Sequence, residues 1–125
     1  MEITITDAEL ILMRLLWQEH PLNARQITER LESDKDWHRK TINTLLSRLE
    51  KKSALSVRKH EDGIKYFTPA VDEAAYNQTA TSHFVDRLFG GKIAPLLASF
   101  AKDRPLTPEQ VAELRSLLEE LSNDD

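Results

Sequence analysis

The chain has 125 residues, 40% of them hydrophobic and 30% charged, with no cysteine. That length buries one modest core with room for a small satellite, and the missing cysteines exclude a disulfide framework, a thiolate metal site and a thiol redox switch. No apolar run approaches the ~20 residues that span a bilayer and no basic stretch leads into a long apolar one near the N-terminus. The expectation is therefore a soluble cytoplasmic protein without membrane insertion. The net charge of −4 is unevenly placed. Residues 1–70 carry 12 Lys/Arg against 11 Asp/Glu, residues 71–125 carry 5 against 10, and within residues 38–59 the balance is 7 to 1. Phosphate affinity depends on where charge sits, so the sequence reads as a basic module joined to an acidic one.

The first helix opens on Thr6-Asp-Ala-Glu9, a capping box in which Thr6 and Glu9 satisfy each other's amides. Leu10, Met13, Leu16 and Trp17 line one side; Ile11, Leu12 and Leu15 extend the apolar surface, so packing on more than one side is expected. The helix should run to about Glu19, because His20-Pro21 stops it. Asn23-Ala-Arg-Gln26 repeats the capping pattern and opens a helix over Ala24 to Leu31, with Ile27 and Leu31 inward. A polar connection from Glu32 to Asp36 follows, and Trp37 is placed to plug the start of the next helix.

That next helix, within Asp36 to Lys52, has two chemically opposed faces. Ile42, Leu45, Leu46 and Leu49 recur at the spacing of a buried stripe. Lys40, Thr41, Thr44 and Arg48 fall opposite, and Lys51 and Lys52 extend that side. Short hydroxyls let a backbone approach base edges while Lys and Arg reach phosphate or guanine, a face suited to a DNA groove. Leu55 to Lys59 and Ile64 to Thr68 then alternate apolar and polar, with Leu55/Val57 and Ile64/Tyr66 as the apolar positions. Asp62-Gly63 supplies the turn, predicting a β-hairpin that carries Arg58, Lys59 and Lys65. Three helices and a basic two-stranded wing make a winged helix-turn-helix whose third helix enters the major groove. The fold class is mainly α: a winged-helix DNA-binding domain over residues 1–70 and a helical dimerisation domain over residues 71–125.

Past Pro69 the chain predicts helices over Glu73 to Phe89, Ile93 to Ala101 and Pro108 to Ser122, broken at Gly90-Gly91 and Asp103-Arg-Pro105. The last has Thr107 as cap, Pro108 in the first helical position and Gln110 completing the box. Val111, Leu114, Leu118 and Leu121 form a heptad-like seam beside Leu117, too short to be stable alone. Tyr76, Phe84 and Leu88 on the first of these helices, with Ile93, Leu96, Leu97 and Phe100 on the second, also need a partner. These helices can fold back on the first module or interdigitate with a second copy. The homodimer is favoured, because a winged helix reading a two-fold operator needs a two-fold dimer.

Thr6-Asp-Ala-Glu-Leu10 with Leu16-Trp17, the run Trp37-His-Arg-Lys-Thr-Ile-Asn-Thr-Leu45 with Arg48 and Lys51-Lys52, the wing Tyr66-Phe-Thr-Pro69 and Phe89-Gly-Gly91 resemble the BlaI/MecI/CopY transcriptional repressors over nearly the whole chain. The resemblance implies a homodimeric repressor on palindromic operator DNA. It assigns DNA contacts to Lys40, Thr41, Thr44 and Arg48: Thr41 and Thr44 to base edges, Lys40, Lys51 and Lys52 to phosphates, Arg48 to either. Arg58, Lys59 and Lys65 would clamp adjacent backbone. The family commonly has Ser-Pro where this chain has His38-Arg39, which weakens the expected cap and adds Arg39 as a cation near phosphate. Copper-responsive members carry a cysteine-rich tail, so copper control by that chemistry is excluded here. β-Lactam-responsive members are cut by a membrane-bound sensor metalloprotease at an Asn-Phe bond; the matching position is Ser99-Phe100, where Phe100 also reads simply as core.

Other chemistry is weak. His20, His38, His60 and His83 share no ligand spacing, His83 with Asp86 is too little for a metal site, and no phosphate loop or nucleophile motif occurs. Glu119-Glu120 and Asp124-Asp125 read as a solvated acidic end, so neither an enzyme nor a cofactor is expected. One alternative is a winged-helix protein–protein interaction module without specific DNA binding, which would show apolar or mixed residues where Thr41, Thr44 and Arg48 lie. A repressor responding to a metal through His and carboxylates is the other; metal-dependent operator affinity would reveal it.

Overall fold

The computed structural model describes residues 3–32 and 36–122. Ser33 to Lys35 of the polar connection and the acidic pair Asp124-Asp125 lie outside the described residues. In order come α1 (Asp7–Gln18), β1 (Leu22–Asn23), α2 (Ala24–Glu32), α3 (Arg39–Lys51), β2 (Leu55–Lys59), β3 (Lys65–Pro69), α4 (Glu73–Phe89), α5 (Ile93–Asp103) and α6 (Pro108–Ser122). The chain separates into two compact units, Met1–Thr79 and Ala80–Asp125, with α4 running across the division.

Local chemistry starts the helices where the sequence says. Thr6 Oγ1 accepts from the Glu9 amide at 3.2 Å while the Glu9 carboxylate accepts from the Thr6 amide at 2.9 Å. Asn23 and Gln26 exchange the same pair of bonds at 2.8 and 2.9 Å, and Thr107 and Gln110 at 3.1 and 3.0 Å. Each box satisfies two amides that have no partner within their helix. α3 lacks such a cap: His38 occupies the position and its side chain makes no capping bond.

The end of α3 is more closely specified. Ser53 takes φ +65°, its amide donates to the Glu50 carbonyl at 3.0 Å, and the Ala54 amide donates to the Leu49 carbonyl at 2.9 Å. This paired closure turns the chain sharply out of the helix and into β2. It normally takes glycine, and a serine there carries the cost of a left-handed backbone.

The N-terminal core is built from one stripe of each helix. Leu12, Met13 and Leu16 of α1, Ile27 and Leu31 of α2, and Ile42, Leu45, Leu46 and Leu49 of α3 are buried together. Burial of each such side chain contributes about 1.5–3 kcal/mol. Leu10, Ile11, Leu15 and Trp17 pack partly against that core, so α1 is covered on more than one side. Trp37 also packs against it, at the approach to α3. Trp17 Nε1 donates to the Val71 carbonyl at 2.9 Å, and its ring lies 6.0 Å from that of Tyr76. The start of α4 therefore belongs to this unit.

Two features of the sheet differ from expectation. The wing is part of a three-stranded antiparallel sheet, ordered β1-β3-β2, rather than a free two-stranded hairpin. β1 is only Leu22–Asn23, too short for an alternating pattern to announce it, and exists because Leu22 pairs with Phe67 and Asn23 with Tyr66. The inward position on β3 is Phe67, flanked by Leu22 and Val57, while Ile64 is exposed and Tyr66 half-buried. A one-residue change of register exchanges the two faces of a strand, and the third strand settles it in favour of Phe67. The turn closes as expected: Gly63 takes φ +82°, and Asp62 Oδ1 accepts from the Ile64 amide at 2.9 Å.

In the C-terminal unit α5 extends to Asp103, beyond the expected end at Ala101. α4, α5 and α6 contain no buried residue among those described. Phe84 packs on Phe89 with ring centroids 6.1 Å apart. No helix among the described residues is long and apolar enough to cross a membrane.

Candidate nucleic-acid interface

Burial of Ile42, Leu45, Leu46 and Leu49 fixes the roll of α3 and turns its polar side outward. Arg39, Lys40, Thr41, Thr44, Arg48 and Lys51 are all exposed. A shallow groove along this side is lined by Lys40, Asn43, Thr44, Ser47, Arg48 and Lys51, the three-and-four spacing of a single helical face. Asn43 and Ser47 belong to this face although neither is a cation or a threonine. Their spacing from Lys40 was the available signal. Thr41 is exposed but does not line this groove.

Thr44 carries a constraint that sequence does not show. Its hydroxyl donates to the Lys40 carbonyl at 3.0 Å. The proton is thereby engaged within the helix, which leaves the oxygen as an acceptor and the methyl as an apolar contact.

The wing presents its cations in register. Lys59 lies directly opposite Lys65, and Arg58 opposite Tyr66. Like charges facing each other across a strand pair are destabilising on their own, and an anion placed between them relieves the repulsion. His60 stacks on Tyr66 with ring centroids 4.0 Å apart and planes 22° apart, at the foot of the turn. A second concavity joins this wing to the helices, lined by Asn23 to Gln26, Arg39, Asn43, Lys65 and Tyr66 among others. It places the start of α2, one flank of α3 and the inner edge of the wing around a single groove.

Lys52 does not join this surface. Its ammonium binds the Glu9 carboxylate and the Thr4 carbonyl, the latter at 2.8 Å. The Glu9 side chain is 1% exposed and that of Lys52 32%. Burial pushes the Glu9 carboxyl up, but the bonds from Lys52 and from Thr6 outweigh it and hold the group below its ordinary value of 4.5. Lys52 is thus a structural tie between α1 and the end of α3. Its position at the end of the basic run gave no sign of this, because the partner lies 43 residues away.

The positions assigned to dimerisation divide in two. Tyr76 is half-buried against Trp17 in the N-terminal unit. In the C-terminal unit Leu96, Leu97, Val111 and Leu114 are half-buried. Phe84, Leu88, Phe100, Leu118 and Leu121 are between 41% and 61% exposed. Ser99-Phe100 lies inside α5, with the Arg104 guanidinium 5.7 Å from the centre of the Phe100 ring. Among the described residues no three His, Asp or Glu side chains gather as a metal site.

Fold and face together define a class: a winged helix-turn-helix protein with a cationic recognition helix and a basic wing. The profile of the penicillinase repressor family matches residues 5–120. The chain belongs to that family of winged-helix, DNA-binding repressors. The penicillinase repressor of Bacillus licheniformis is 34% identical over 119 residues, which cover 95% of this chain and 92% of that protein. The methicillin resistance regulatory protein MecI of Staphylococcus aureus (strain N315) is 29% identical over 114 residues, 91% of this chain and 92% of that one. Among solved structures, the monomeric form of Bacillus licheniformis BlaI in complex with the blaP half-operator is 37% identical with a TM-score of 0.51, covering 58% of this chain and 88% of that one.

Proposed function

We propose that the protein is a sequence-specific transcriptional repressor that binds a palindromic operator as a homodimer. The observation that carries this reading is the outward face of α3: cations and small polar groups on one continuous stripe, beside a wing whose lysines oppose each other. Lys40 and Lys51 serve as phosphate anchors, Thr41, Thr44 and Arg48 as the candidates for base edges, and Arg39, Arg58, Lys59 and Lys65 as backbone contacts. The half-operator bound by the related BlaI supports DNA as the partner.

The exposed apolar side chains of α4, α5 and α6 support the second half of the proposal. Helices of 11 to 17 residues with no buried position gain stability by covering those side chains against a second copy. A dimer joined through the 71–125 domain would hold two recognition helices for the two half-sites. Linking the half-site contacts raises affinity through effective concentration. Any event that separates the halves then releases the promoter without altering a DNA-reading residue. An induced cut by a membrane-bound sensor metalloprotease at Ser99-Phe100 is one such event, and because the bond lies within α5 the helix must unwind locally to be cut.

The test is a salt-dependent titration against the protein's own promoter region with random duplex as competitor, alongside sedimentation of the free protein. Two-fold-symmetric protection by a dimer, with a large specific-to-random ratio, is the expected result. Binding no tighter than to random DNA sinks the reading and favours a protein-docking winged helix.

A further inference from the structure

Asn43 is the residue on the recognition face whose chemistry is least explained by phosphate binding. It is uncharged and exposed, and it lines both the groove along α3 and the groove between α3, the start of α2 and the wing. Among the described residues its carboxamide has no hydrogen-bond partner, so both its donor and acceptor functions are open. Lys40, Asn43, Thr44 and Ser47 stand at i, i+3, i+4 and i+7, the spacing by which a helix laid in the major groove reaches successive base edges. Of the neighbouring groups only Arg48 also offers a bidentate fork, which matches guanine O6 and N7 rather than adenine, and the others are less suited to reading a base bidentately. Thr44 has its proton engaged with the Lys40 carbonyl, Ser47 is short, and Lys40 and Lys51 are point charges that satisfy phosphate.

We infer that Asn43 reads an adenine in each half-site, its carbonyl accepting from the adenine N6 amino group and its amide donating to N7. This is the pairing that a carboxamide makes best in the major groove, and no other base presents that donor and acceptor side by side in the same order. The inference rests on the DNA-binding reading above and adds a base identity to it.

The experiment uses the full-length chain. Selection from randomised duplexes with the wild-type protein defines the preferred half-site, and Asn43→Ala is put through the same selection. The substitution is at an exposed helical position where alanine is the better helix former, and unchanged thermal unfolding verifies the fold. The expected result is loss of adenine preference at one symmetric position, with discrimination there falling roughly 5- to 150-fold and the salt slope unchanged. Replacing that adenine by 7-deazaadenine, which lacks N7, should then weaken wild type but not the variant. Equal weakening on every sequence, or a 7-deaza effect of the same size in both proteins, overturns the assignment while leaving DNA binding intact. A wild-type protein that selects no sequence at all overturns both readings, and is distinguishable because it appears before any variant is made.

Discussion

Replacing Lys52 by methionine separates a structural tie from a DNA contact. The substitution keeps the apolar stem and removes the ammonium, leaving the 1%-exposed Glu9 carboxylate without its cationic partner. Glu9 Oε1 then keeps only the Thr6 amide and Oε2 has no hydrogen-bond partner among the described residues, so no second cation replaces the ammonium. Stranding a fully buried charge costs about 3–5 kcal/mol. With the Lys52 side chain 32% exposed, water reaches the pair from that side, and about 2–3 kcal/mol is the expected loss. Urea unfolding of the whole chain should show a lower midpoint at pH 7. The pH dependence supplies a second signature. The folded Glu9 pKa is depressed, so the tie contributes stability above the ordinary value of 4.5 and loses it as pH falls through the folded value. The gap between wild type and Lys52→Met should therefore narrow as pH drops below about 4.5. The variant, titrated on DNA at a temperature where it is folded, should keep the wild-type salt dependence. An unchanged urea midpoint together with a salt slope shallower by about 0.9, the signature of one lost phosphate contact, would refute this reasoning.

Three further outcomes follow from the same geometry. Ser53→Gly should stabilise the protein by about 1 kcal/mol in urea unfolding, since glycine removes the cost of φ +65° at the end of α3; a destabilised variant would mean that the Ser53 side chain has a role of its own. Phe67→Ala should cost about 3–5 kcal/mol, because Phe67 is 7% exposed and held between Leu22 and Val57, whereas Ile64→Ala, at a 43% exposed position, should cost under about 1 kcal/mol. Lys59→Ala should act with opposite sign on two measurements: removing the repulsion with Lys65 raises the unfolding free energy by about 0.2–1 kcal/mol, while operator binding weakens and its salt slope becomes shallower by about 0.9. Loss in both measurements would argue against an anion-accepting pair.

Much of this protein is determined by local sequence. The three capping boxes begin at Thr6, Asn23 and Thr107 because each is satisfied by a residue three positions away. The buried stripe of α3 was equally legible, and with it the side that carries Lys40, Thr44 and Arg48, because helical periodicity alone assigns the faces. What the tertiary structure decided are the interactions between distant positions. Leu22 meets Phe67 across 45 residues, which adds a third strand and chooses Phe67 over Ile64 as the inward residue of the wing. Glu9 meets Lys52 across 43, withdrawing one lysine from a basic run that looked uniform. Tyr76 meets Trp17 and joins the N-terminal core rather than the exposed apolar side chains of the C-terminal unit. A side chain's own neighbours in sequence set which way it faces along an element; which group it faces depends on chain closure, and only the folded chain brings those groups together.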